Sequence, residues 1–145
     1  MTRLPVSRLS LVIATAILLA CGGDESGPEE GHTPADAALF VGGVDVTDAL
    51  LLPAGGTLRV EVRFLDDEGE VITGIDEDHN TALVFTPSGL ATTASMDGEN
   101  FQKDVTAQAG VGTGTVTVGY GHDEEADELS FGPFAVTVGA ISIRR

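Results

Sequence analysis

The clearest pattern along the chain is alternation. Between residues 57 and 65, Leu58, Val60, Val62 and Phe64 alternate with Arg59, Glu61 and Arg63. Successive side chains of a strand point to opposite faces, so this stretch predicts a strand with an apolar inner face and a charged outer one. Between 113 and 120, Val116, Val118 and Tyr120 alternate with Thr115, Thr117 and Gly119. Between 134 and 138, Phe134, Val136 and Val138 alternate with Ala135 and Thr137. Shorter runs at 39–41, 44–46, 50–52, 70–73, 81–86, 91–95 and 100–107 predict further strands.

Turn residues separate these runs. They are Pro53-Ala54-Gly55-Gly56, Asp67-Glu68-Gly69, Pro87-Ser88-Gly89, Asp97-Gly98 and Ala109-Gly110-Val111-Gly112. Each supplies Gly or Pro where the backbone needs an unusual or a preset φ. Past the N-terminal segment, no window carries a helical stripe of about ten residues. Many short strands at this spacing predict an all-β, antiparallel sandwich of about seven to nine strands. One wet face per sheet accounts for the Thr and charge at alternate positions.

From about Leu50 to Val138 the chain resembles bacterial immunoglobulin-like domains of the Big type. The resemblance lies in Gly56-Thr57-Leu58 with Val60 and Val62, in Asp67-Glu68-Gly69-Glu70-Val71-Ile72, and in Ser88-Gly89-Leu90-Ala91-Thr92. It continues through Phe101 with Val105-Thr106-Ala107, Gly112-Thr113-Gly114-Thr115-Val116-Thr117-Val118 and Pro133-Phe134-Ala135-Val136-Thr137-Val138. Ala82-Leu83-Val84-Phe85 stands where the family commonly carries Trp-Ser-Ser. The resemblance implies an immunoglobulin-like sandwich and a place among bacterial surface proteins. Members often occur in tandem, but no internal repeat is found here, so a single module is expected.

The N-terminus departs from the alternation. Arg3 and Arg8 precede an apolar run from Leu9 to Ala20, too short to span a bilayer and of the length of a signal-peptide core. The run ends in Leu18-Leu19-Ala20-Cys21, which resembles the bacterial lipobox. That resemblance implies removal of residues 1–20 and attachment of lipid to Cys21, and so a membrane partner reached through that residue. Gly22 follows, without the Asp that implies inner-membrane retention in enteric-type bacteria; a lipid-anchored envelope protein, on the outer membrane where the host has one, is expected. Residues 21–36 then form the lipidated Cys and a linker of Gly, Pro and acids with no large apolar side chain. Such a stretch buries too little to offset its ordering entropy and predicts a flexible spacer of roughly 20 Å or more. Residues 37–145 are left as the sandwich.

Composition narrows the chemistry. The 145 residues carry 23 acidic and 7 basic side chains, net −16, which becomes −18 once Arg3 and Arg8 are removed. A nucleic-acid partner, which needs a basic stripe, is excluded. One Cys excludes a disulfide scaffold and a Cys-based zinc site. The hydrophobic fraction of 42% is too high for a disordered acidic chain. No G-x-S-x-G, P-loop or H-E-x-x-H occurs. Aromatic residues make up 5%, too few to line a sugar cleft, and a non-catalytic protein is expected. Tyr120 is expected in the core at a strand end, its hydroxyl at the rim.

Two clusters remain as candidate binding chemistry. Asp76, Asp78 and Asn80 alternate as in the opening of an EF-hand loop, with His79 among them. Thr81 stands where that loop needs Gly, and Pro87 where it needs a bidentate Glu, so an EF-hand is excluded and only a looser calcium site is left. The second cluster runs from His122 to Glu128 and includes Asp123 and Glu125. His79 and His122 with carboxylates would suit zinc or copper, provided the fold brings the loops 76–80 and 122–128 together. Against this stands the reading of both as solvated acidic surface. Two functions compete: a protein-contact or spacer module of the envelope, and a metal-binding envelope lipoprotein.

Overall fold

The alternation at 57–65 becomes the central strand of one sheet. The computed structural model describes residues 33–122 and 126–140, and within them nine strands form two sheets. In chain order they are β1 (Asp36–Val41), β2 (Val44–Asp45), β3 (Leu50–Pro53), β4 (Thr57–Leu65), β5 (Asn80–Thr86), β6 (Ala91–Met96), β7 (Glu99–Ala107), β8 (Gly112–Gly121) and β9 (Leu129–Gly139). One sheet has the order β2-β1-β4-β7-β6 and the other β3-β9-β8-β5. All pairings are antiparallel except β3 with β9. This is the immunoglobulin-like sandwich expected from the sequence. Cys21, His32, Asp123 and Glu125 lie outside the described residues, as do the signal and most of the linker.

The core is the set of inward positions the alternation marks. Val60, Val62 and Phe64 of β4 face Leu83 and Phe85 of β5, Val116, Val118 and Tyr120 of β8, and Val136 and Val138 of β9, all buried. Each such side chain removed from water contributes about 1.5–3 kcal/mol. The outer face of the first sheet carries polar pairs instead, one across strands and one along β4. Arg59 meets Asp104, its register partner, at 3.2 Å. Arg63 donates to Glu61 at 2.6 Å and lies 4.0 Å over the Phe40 ring.

The turns are where the sequence put them. Asp97-Gly98 is the whole of the β6–β7 turn, since Met96 pairs with Glu99, and Gly98 takes φ +77°. The strand expected at 70–73 does not form. Val71 makes a single bridge to Leu65, and Ile72 donates one amide to Phe64. The Asp66 carboxylate accepts from the amides of Glu68 and Glu70, and its backbone pairs with Gly69 and Glu70. The segment is thus held as a turn, and ladder pairing stops after one bridge. At the other end, β1 begins at Asp36, and the Ala35 amide donates to Leu65.

Candidate functional site

The register of β5 against β8 builds the site. Thr81 pairs with Tyr120 and Asn80 with Gly121. One step further along the same antiparallel register puts His79 opposite His122, the first residues past the two strands. By strand alternation they share the inward-facing side with Thr81 and Tyr120. Their rings stand 4.0 Å apart, tilted by 43°. His79 also stacks on Tyr120 at 4.8 Å and 21°, and Tyr120 packs edge-on against Phe64 at 4.7 Å. The pair therefore closes one end of the core, His79 with a side chain only 14% exposed and His122 half exposed.

Carboxylates approach both rings. Asp78 Oδ1 lies 3.1 Å from His79 Nδ1. The two make a close ion-pair contact but no hydrogen bond, and His79 Nδ1 is buried without a hydrogen-bond partner. Glu128 Oε1 lies 2.5 Å from His122 Nδ1 and also accepts from the His122 amide. An ionised carboxylate can only accept, so the His122 ring donates from Nδ1. That bond holds the Glu128 carboxyl below its ordinary range. One ligand atom from each of Asp78, His79 and His122 falls within 4.8 Å of the others, and this is the one such group among the described residues.

The remaining candidates are placed differently. Asp76 is exposed and outside this group, though its charge reaches Tyr120. Asn80 is in β5, and alternation sends it away from the side that Thr81 shares with the histidines. Asp123 and Glu125 are not described. Glu128, which orients His122, was not singled out in the sequence; the only signal for it was its place at the end of the 122–128 acidic run. A separate cleft of about 420 Å³ lies between β4, β7 and the 71–77 segment, lined by Val62, Phe64, Ile72 and Phe101 among others. It includes neither histidine.

Close backbone packing sets the second loop. Ala126 is buried with φ +45°, and Asp127 bridges to Tyr120. A Cβ on Gly119 would stand 2.3 Å from the Ala126 carbonyl oxygen, so residue 119 must be Gly for the chain to pass and bring Glu128 to His122.

Tyr120 reports on this end of the sandwich, because it is the only Tyr and the chain has no Trp. Burial raises its pKa above 10.0, and the negative charges of Glu128, Asp76 and Asp78 raise it further. A neutral phenol held this way stabilises the fold below pH 10, and the contribution fades as pH climbs through the folded value. Tyrosinate absorbance of the folded chain is expected to rise at higher pH than in denaturant. Coincident midpoints would contradict this packing.

No family model and no curated protein matches the chain. It is similar to the solved structure of domains 4 and 5 of the S-layer protein SbsC, at 18% identity and TM-score 0.42, over 74% of this chain and 54% of that one. It is similar also to the Yersinia pseudotuberculosis adhesin InvE, at 18% identity and TM-score 0.43, over 79% of this chain and 29% of that one. The chain thus spans about half of the first structure and under a third of the second. Neither likeness carries an argument about what this chain does.

Proposed function

We propose that this chain is a lipid-anchored, non-catalytic module of a bacterial cell envelope. It presents one immunoglobulin-like sandwich on an acidic tether, for contact with another protein or as a spacer. The observation that carries this reading is the order of parts: Leu18-Leu19-Ala20-Cys21 at the end of an apolar run, then an acidic Gly/Pro stretch, then the first strand at Asp36. Acyl chains on Cys21 would hold the protein at a membrane, each buried CH₂ contributing about 0.8 kcal/mol. Two edges of the sandwich suit contact by strand addition. β5 and β6, each at the end of its sheet, carry no charged side chain, and Val84 of β5 is exposed. Charge on an edge is a common guard against such pairing.

The test is expression of the full chain in a bacterium that processes lipoproteins, fed a labelled fatty acid. The wild type is expected to take the label and to have the mass of a chain starting at acylated Cys21. Cys21→Ser is expected to lose the label entirely and to keep residues 1–20. Label retained by Cys21→Ser, or an unlabelled wild type cut elsewhere, would overturn the anchoring.

A further inference from the structure

We propose that His79, His122 and Asp78 form a binding site for a divalent transition ion, zinc or copper(II), at the open end of the β5–β8 pair. Three observations point there together. Two imidazoles are brought together by the register of β5 against β8, their ring centroids 4.0 Å apart and tilted by 43°. The buried Nδ1 of His79 makes no hydrogen bond although the Asp78 carboxylate stands 3.1 Å away, so both atoms are placed to share an ion between them. Glu128 accepts from His122 Nδ1, so in the neutral ring the lone pair sits on the other nitrogen. A carboxylate behind a ligating histidine is the arrangement that fixes its tautomer and raises its basicity toward a metal.

The donor set selects the ion. Two of the three ligand atoms are imidazole nitrogens. Zinc and copper favour imidazole, whereas calcium wants six to eight oxygens. The three atoms lie within 4.8 Å of one another. A tetrahedral ion with bonds of about 2.0–2.1 Å sets its ligands roughly 3.4 Å apart, so closure needs side-chain rotation of about an ångström and no movement of the strands. Asp78 and His122 are the exposed partners, with side chains 69% and 52% accessible, and have room for it. Three protein ligands leave a tetrahedral ion one position for water. This site is independent of the lipid anchor, and either inference can fail without the other.

The test uses the full chain, purified in detergent and stripped with EDTA, in a His32→Gln background that removes the third imidazole of the sequence. Zinc, copper(II), calcium and magnesium are titrated at matched ionic strength, reading the thermal midpoint and the emission of Tyr120. Zinc and copper are expected to raise the midpoint saturably, as binding to the native state must. Copper, being paramagnetic, should also quench Tyr120, which stacks on His79. Calcium and magnesium should give only the shift of screening. His79→Gln removes a stacked ring and weakens the fold by itself, so affinity is read from the exposed partners. His122→Gln and Asp78→Asn should each weaken zinc at least tenfold. Glu128→Ala, which keeps all three ligands, should weaken it about ten- to a hundredfold. Equal shifts for all four ions, or unchanged zinc affinity in both His122→Gln and Asp78→Asn, would overturn the site.

Discussion

Phe64→Ala is expected to cost about 3–5 kcal/mol, the range for removing a buried aromatic ring from a core. Phe64 is 1% exposed and sits where the two sheets meet. Its ring packs edge-on against Tyr120 at 4.7 Å and Phe101 at 5.7 Å, and at a tilt against Phe131 at 5.8 Å. Truncation removes apolar transfer energy and three ring contacts together, and leaves a cavity that rigid strands on both sides cannot close. A domain of this size has about 5–15 kcal/mol in all, so much of its stability would go. Phe64→Leu should cost considerably less, because most of the volume remains. Urea unfolding followed by Tyr120 emission measures both. A loss under about 1 kcal/mol for Phe64→Ala would mean that the rings do not pack as described.

Gly119→Ala is the second large effect, and it tests the site as well as the fold. The added Cβ would meet the Ala126 carbonyl oxygen at 2.3 Å and its carbon at 3.3 Å. Both are backbone atoms, so no side chain can rotate away. Ala126 is itself buried, and Asp127 is bridged to Tyr120, so the whole 126–128 segment has to shift. The expected cost is about 1–3 kcal/mol, that of overpacking a close contact. The shift also carries Glu128 away from His122. The Glu128 carboxyl, held low by that hydrogen bond, should then titrate higher, back toward its ordinary range. Carboxyl NMR shifts across the acid range would show it. Gly89→Ala is the control: its Cβ meets nothing within 4 Å and its φ is ordinary, so it should stay within about 0.5 kcal/mol of wild type. If the two variants unfold alike and Glu128 titrates unchanged in both, the 126–128 segment does not pack on Gly119.

Most of the strands were legible because burial in a sheet has period two. Val60, Val62 and Phe64 needed only their spacing to be placed inward, and Asp97-Gly98 only its chemistry to be placed in a turn. Local pattern misleads in two places, once through alternation and once through charge. Residues 70–73 look like a strand, but the Asp66 carboxylate takes up amides that a ladder would need, a local competition that alternation does not register. Lys103 falls on the buried side of β7, in line with Val105 and Ala107, although charge alone would put it outside. Its ammonium reaches Ser95 of β6 at 3.0 Å, a partner that depends on the pairing of two strands.

The candidate site divides in the same way. That His79 and His122 stand among carboxylates is plain in the sequence. That they face each other while Asn80 turns away depends on β5 and β8 pairing with Asn80 opposite Gly121. A shift of one residue would send the two rings to opposite faces. That register is chosen by the core as a whole, by Leu83, Phe85, Val116, Val118 and Tyr120 all being buried at once. The sequence by itself determined most of the strands, the turns, the acidic surface and the presence of an N-terminal segment unlike the rest, because each depends on neighbours a few positions apart. Only the tertiary structure decided that His79 meets His122 and that Glu128 stands behind His122, because the first contact joins residues far apart in the chain through the pairing of β5 with β8, and the second needs the 126–128 segment to pack back on Gly119.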